Sequence, residues 1–260
     1  MATTLSVKTS DGINWHVEQQ GSGPHLILIP SGEGDCESFS KGAKILSATF
    51  TVTTFDMPGM VRSPCPPEQI QNVDAPLMAK QINGLLDELH IEKATIFGSS
   101  SGSWAAFGLA AYYPERIQSI IVHEVPLVIF PSLFELLKLD DKGIVDNCRP
   151  LFENFFNEDA AAWNGIGKEY HERLEKNYVT WIRGYAATKN PFPLTNEEMK
   201  RRPVTWTIGA LNQIGVWFNN IKKAHELGIE MELLNSKHFP YVSVPEEWAE
   251  HVKKSALKYL

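Results

Sequence analysis

The chain of 260 residues is poor in cysteine, in long apolar runs and in positive charge, and each shortage removes a class of protein. Cys36, Cys65 and Cys148 are odd in number and too far apart for a metal knuckle, which argues against a disulfide framework and for a reducing compartment. All three are expected to be reduced core residues. No apolar run approaches the roughly 20 residues that cross a bilayer, and Met1 to Ser10 lacks the basic-then-apolar pattern of a secretory leader. No Asn-x-Ser/Thr sequon occurs either, so the expectation is a cytoplasmic protein without a membrane partner. Lys and Arg number 24 against 31 Asp and Glu, a net charge of −7, without the basic excess that nucleic acid requires.

What is present is an ordinary globular composition, 43% hydrophobic, arranged as strands alternating with helices. Thr4 to Val7 and Ile13 to Glu18 alternate around Asp11-Gly12 and predict an antiparallel hairpin. Short apolar runs follow at 26–29, 51–55, 94–97, 117–123, 204–208 and 229–234, several of them apolar on both faces, as buried parallel strands are. Between them, Leu77, Met78, Ile82, Leu85, Leu86 and Leu89 make the stripe of a helix over 75–90. This pattern predicts an α/β fold with a mostly parallel sheet flanked by helices. From Leu127 to Phe192 helical patterns at 132–139, 144–157 and 167–184 follow one another without a strand, which predicts a helical cap at 127–192 on a core of 1–126 and 193–260. The cap holds 11 aromatic residues, Phe130 and Phe192 among them. They can pack the cap's own core or line an apolar pocket above the sheet.

Gly98-Ser99-Ser100-Ser101-Gly102 stands between a predicted strand and a predicted helix, the context that a G-x-S-x-G nucleophile elbow requires. Ser100 is its central serine. A serine hydroxyl needs a base, and the base a carboxylate, in the chain order Ser, acid, His. Three histidines lie late enough. His238 follows the strand at 229–234 and precedes the last helix, whereas His225 and His251 fall on polar helical stretches that suit solvent. The residues after the strand at 204–208, Gly209 to Asn219, include no Asp or Glu, so the acid is expected at the end of the strand at 117–123, as Glu124. Oxyanion donors are expected from the amide of Ser101 and from Gly32, in Pro30-Ser-Gly-Glu-Gly34. His123-Glu124 and His171-Glu172 lack the second histidine of a zinc helix, with Leu127 and Glu175 in its place, so neither metal nor cofactor is expected.

Thr54-Phe-Asp-Met-Pro-Gly-Met-Val-Arg-Ser63 resembles a loop widespread in α/β-hydrolases. The whole chain more specifically resembles the fungal zearalenone lactonases through Val52 to Met60, His123-Glu-Val-Pro126, Lys176 to Tyr185 and His238-Phe-Pro-Tyr-Val242. The resemblance implies a cofactor-independent serine hydrolase that opens the ester of a resorcylic macrolactone, the acid product then losing carbon dioxide. It carries the nucleophile onto Ser100, the acid onto Glu124, the histidine onto His238 and the oxyanion amides onto Gly32 and Ser101. Trp181 corresponds to a cap tryptophan that packs on the substrate, and Ser31, Phe152, Phe156 and Phe239 fall in the same pocket. This chain departs from the family at Ser31, where Asp is common, at the bulkier Phe152 and Phe156, and in the shorter stretch 186–199. Two other readings of the same residues are a carboxylesterase for smaller apolar esters and a receptor that closes its cap over a lipophilic ligand. The assembly is left open, a homodimer included.

Overall fold

A computed structural model describes residues 2–128, 131–186 and 192–260. Phe130 and residues 187–191 of the stretch 186–199 lie outside them. Eight strands form one sheet in the order β1-β2-β4-β3-β5-β6-β7-β8. They are β1 (Thr3–Lys8), β2 (Asn14–Gln20), β3 (His25–Ile29), β4 (Thr51–Phe55), β5 (Ala94–Ser99), β6 (Ile117–His123), β7 (Val204–Gly209) and β8 (Met231–Leu234). The pairs β1–β2 and β2–β4 are antiparallel, and every other pair is parallel. The expected hairpin is there, with a five-residue connection, Thr9 to Ile13, in place of a two-residue turn. Asp11 accepts hydrogen bonds from Thr9 Oγ1 and Ile13 N while Gly12 alone takes positive φ, at 88°.

β5, at the middle of the sheet, is buried at all six residues, which is why its sequence is apolar on both faces. The helices that flank the sheet are α1 (Ser40–Leu46), α2 (Ala75–Glu88) and α3 (Ser101–Tyr112). α3 packs against α2 and β5 and is buried along almost its whole length, as its run of Ala, Phe, Leu and Trp requires. After β6 come α4 (Pro131–Leu136), α5 (Asp141–Pro150), α6 (Ala160–Asn164) and α7 (Lys168–Thr180), with no strand among the described residues until β7. α8 (Asn196–Met199) lies just before β7, α9 (Ile214–Leu227) joins β7 to β8, and α10 (Pro240–Ser243) and α11 (Pro245–Leu257) follow β8.

Two of the helical runs expected in this insertion are not plain α-helices. α5 passes into a π-helical turn at Leu151–Phe155, and α7 into another at Trp181–Ala186. Pro150, which has no N–H to donate, sits where the first begins, and Phe156 N bonds back five residues to Leu151 O, 2.9 Å. The wider turns carry Phe152 and Trp181 to the cavity described below. No helix among the described residues is long and apolar enough to cross a membrane.

Candidate active site

Ser100 sits between β5 and α3 with φ 49° and ψ −117°, a conformation that costs a residue with a Cβ on the order of 1–3 kcal/mol. The neighbouring backbones leave no space for side chains on either side of it. A Cβ on Gly98 would lie 2.4 Å from Gly102 O, and one on Gly102 would lie 2.5 Å from Pro30 O. Ser100 N donates to His123 O at 2.8 Å, which holds the elbow against the end of β6. The elbow spacing thus follows from the close approach of three chain segments. The Ser100 hydroxyl has no hydrogen-bond partner among the described residues.

Glu124 follows β6 and is also held at positive φ, 50°. Its backbone N donates to Thr207 O, and Val125 is clamped by the side chain of Asn220, which bonds both Val125 N and Val125 O. This turn buries the Glu124 carboxylate completely and aims it at the C-terminal loop. Oε2 accepts from His238 Nδ1 at 2.5 Å, and Oε1 accepts from Gly209 N at 2.7 Å and from Asn212 Nδ2. Burial pushes the Glu124 carboxyl up to about 7, opposed by His123, Gly209 and Asn212, and burial also holds the His238 imidazole down to about 3. The Gly209 and Asn212 donors, fixed on Oε1, leave His238 as the holder of the shared proton, on Nδ1. The ring of His238 stacks on Phe156, centroids 4.5 Å apart, and on Trp217, 5.1 Å apart. His238 N bonds Phe156 O at 3.0 Å, so the histidine loop is tied to the helical segment between β6 and β7. Nε2 faces the Ser31 hydroxyl at 3.3 Å.

The turn carrying Ser31 and Gly32 is gripped by one face of α7 and the turn beyond it. Arg173, Asn177 and Trp181 recur at the four-residue spacing that lines up one helical face. Arg173 Nε bonds Asp35 Oδ2 at 2.6 Å, and Asp35 also receives Arg62 Nη2 at 2.7 Å. Asn177, fully buried, donates to Glu33 O at 3.0 Å and accepts from Val61 N at 3.0 Å. The Trp181 indole lies over Gly32 so closely that a Cβ there would be 2.5 Å from Nε1. Gly32 is therefore the residue that lets the indole reach the turn. The amide of Ser101, first residue of α3, precedes the point where intrahelical partners exist and is free to donate.

These elements enclose a cavity of about 240 Å³. Ser31, Ser100, Ser101, Phe152, Phe156, Trp181 and His238 all line it. Gly32 lies under Trp181, and Glu124 lies behind His238. Phe239 does not reach the cavity: it is fully buried behind the wall, stacked on Trp163 and Phe152. It is adjacent to His238 in sequence, and neighbouring residues in a loop point different ways. Of the other late histidines, His225 is exposed, while His251 is half-buried and pairs with Glu232 at 3.4 Å. Sequence reasoning passed over Trp104, Leu133, Leu151 and Trp217, which complete the apolar walls, and Asn212. Asn212 and Trp217 lie in the very segment searched for a carboxylate, and a search for donors and rings there would have found them. Among the described residues His16, Glu18 and Cys36 bring possible metal donors within 4.8 Å of one another, but Arg62 contacts both Glu18 and Cys36 and already supplies that corner with a cation. Cys36 and Cys148 are buried free thiols, and Cys65 is half-buried.

The strand order and the serine elbow together define the α/β-hydrolase class, and the sequence family described as alpha/beta hydrolase fold matches residues 24–167. The chain is 38% identical to the zearalenone hydrolase of Bionectria ochroleuca over the whole of both chains. It is 39% identical to the zearalenone hydrolase of Cladophialophora bantiana, covering 98% of this chain and 97% of that one. The chain belongs to the α/β-hydrolase family and, within it, to the family of the zearalenone hydrolases. Among solved structures it resembles the fold of a carboxylesterase from Bacillus subtilis, TM-score 0.74 at 21% identity, covering 99% of this chain and 92% of that one. It is as similar in fold to an enol-lactonase from Burkholderia xenovorans, TM-score 0.74 at 16% identity, covering 96% and 99%.

Proposed function

We propose that the chain hydrolyses the lactone ester of zearalenone or a close resorcylic relative, through an acyl-enzyme on Ser100. His238 Nε2 takes the Ser100 proton as Oγ attacks the lactone carbonyl. Glu124 accepts the hydrogen bond from Nδ1–H and stabilises the imidazolium. The amides of Gly32 and Ser101 receive the oxyanion, where backbone donors fixed in advance contribute most. The proton on Nε2 then passes to the leaving alkoxide, opening the ring. Water, deprotonated by His238, releases the acid from Ser100, and a resorcylic acid so formed loses carbon dioxide. The single observation that carries this reaction is the acid-held histidine beside the elbow serine in an apolar cavity. The choice of lactone rests on the full-length likeness to two zearalenone hydrolases.

Residues 127–192 act in this reading as a lid, with Trp181, Phe152 and Phe156 as its contacts to the aromatic ring of the substrate. Trp181 Nε1 is buried without a partner among the described residues and is available to a substrate oxygen. The free thiols suit a cytoplasmic setting. Incubation with zearalenone is expected to yield the opened, decarboxylated product with multiple turnover. Turnover confined to short aryl esters would make the protein a carboxylesterase, and tight binding without turnover would make it a receptor.

Gly32 offers a second test. Its replacement by alanine must displace either the Trp181 indole or the turn itself, because the methyl group would overlap Nε1. Gly32→Ala is expected to lower kcat by about 10²–10³-fold, the loss seen when one oxyanion donor is removed. Steady-state kinetics on an ester substrate measure it, and an unchanged kcat would remove Gly32 from the oxyanion site.

A further inference from the structure

Two aromatic rings from distant parts of the chain stack on the imidazole of His238, and the reaction above assigns neither of them a part in the chemistry. Trp217, in the first turn of α9, is nearly parallel to it, with 7° between the planes and 5.1 Å between centroids. Phe156, just beyond the π-helical turn at Leu151–Phe155, is tilted by 29° with centroids 4.5 Å apart. His238 and Trp217 are buried and Phe156 is half-buried. Phe156 is carried to the ring by the backbone. Its carbonyl receives His238 N, and Lys237 Nζ donates to Asn154 O and Asn157 O on either side, both at 3.2 Å. Trp217 is held differently. Its Nε1 is buried without a partner among the described residues, so packing of the indole ring, and not a bond from its polar edge, sets its position.

Nε2 takes the Ser100 proton as the oxygen's electron pair goes to the lactone carbonyl, so the imidazole is neutral before that step and a cation during it. Burial makes the cation costly and holds the imidazole down to about 3. Glu124 offsets this cost at the Nδ1 edge. The faces of the ring are the other place where the charge can be met. An aromatic face carries negative charge density that attracts a cation within about 6 Å of its centroid. A planar, delocalised cation can lie flat on such a face, as a guanidinium does. An aliphatic wall would exclude water equally and offer the charge nothing. The attraction is slight for the neutral ring and large for the imidazolium, so it is gained in the transition state, where it raises kcat.

We propose that Trp217 and Phe156 are positioning residues that act through His238: their aromatic faces stabilise the imidazolium formed when Ser100 gives up its proton. The inference rests on the reading of His238 as the general base.

The test varies the charge density on each ring while its shape stays nearly constant. Tryptophan with one to four fluorines on its six-membered ring is introduced at 217 by nonsense suppression, and phenylalanine with one to three fluorines at 156. Single-turnover hydrolysis of zearalenone with enzyme in excess, or of p-nitrophenyl acetate if only short esters are turned over, gives a maximal rate free of product release. It also gives the enzyme concentration at half-saturation. The maximal rate should fall with each fluorine at 217, reaching about tenfold for the tetrafluoro ring, the scale of a desolvated cation–π contact. At 156 the full series should cost about threefold, because that ring is smaller and half-buried. Half-saturation should stay where it is. Trp217→Phe, which keeps an aromatic face, should lose less rate than Trp217→Leu. A maximal rate indifferent to fluorine would overturn the proposal. So would a series that moves only the half-saturation, since the rings would then act on the substrate. Should circular dichroism show Trp217→Leu unfolded, the fluorinated series decides. Ser100→Ala distinguishes the two levels: continued hydrolysis sinks the reading of the whole site, whereas dependence on Ser100 with no response to fluorine sinks only the role of the rings.

Discussion

Ser100→Ala is expected to lower kcat for lactone hydrolysis by about 10⁶-fold, the scale at which nucleophile removal acts in serine hydrolases. The physical ground is the isolation of this hydroxyl. It has no hydrogen-bond partner among the described residues, so its removal leaves no group unsatisfied and no cavity of consequence in the fold. Alanine keeps the Cβ and therefore the same strained backbone at φ 49°, so the elbow neither relaxes nor collapses. Thermal unfolding should be close to that of the unaltered protein, and KM should change little, since the walls of the cavity remain. The remaining rate above water, about 10³–10⁴-fold, is what oxyanion donors and substrate binding supply in the absence of a nucleophile. A Ser100→Ala protein that hydrolyses the lactone normally would end the mechanism.

Glu124→Gln should cost about 10⁴-fold in kcat, again with little change in KM. The carboxamide is nearly isosteric, but it has only one acceptor oxygen. Gly209 N and Asn212 Nδ2 are donors fixed on Oε1, and they claim that oxygen. The NH₂ group is then left facing His238 Nδ1, where the carboxylate now accepts a bond of 2.5 Å. Two donors cannot share that contact, so the imidazole moves its proton to Nε2 and no longer has a lone pair for Ser100. The effect is one of tautomer, so raising the pH should not restore the rate. Recovery at high pH, measured as kcat across the profile, would mean that Glu124 acts by charge alone.

Much of this site is visible in the linear chain for reasons that are local. Gly98, Ser100 and Gly102 form a motif because a strand-to-helix turn of that shape leaves no space for other side chains, and the strand and helix beside them have their own periodicities. Glu124 follows from chain order once Gly209 to Asn219 is seen to hold no carboxylate, and His238 from its place between β8 and α11. The residues omitted by that reasoning share a different property. Asn212 does its work as a donor to a carboxylate, a role that any of several residue types can fill, so nothing in its immediate neighbours marks it. Phe239 is expected in the pocket from the family resemblance, yet packing turns it into the wall behind. The π-helical turns that carry Phe152 and Trp181 inward leave a trace at Pro150 only.

Hydrophobic period, turn chemistry and the elbow spacing already dictate the α/β architecture and mark the Gly-x-Ser-x-Gly turn, since each depends on interactions between residues a few places apart. The contacts that give the site its character join distant segments. Ser31 meets His238, Asn177 holds Glu33 O, and Phe156 and Trp217 stack on one imidazole. Which hydroxyl faces Nε2 depends on how α7, the turn at 31–35 and the loop at 236–241 come together. Those distances arise only when the core closes, because burial, and not neighbourhood in the chain, selects the partners of a polar group that water can no longer reach.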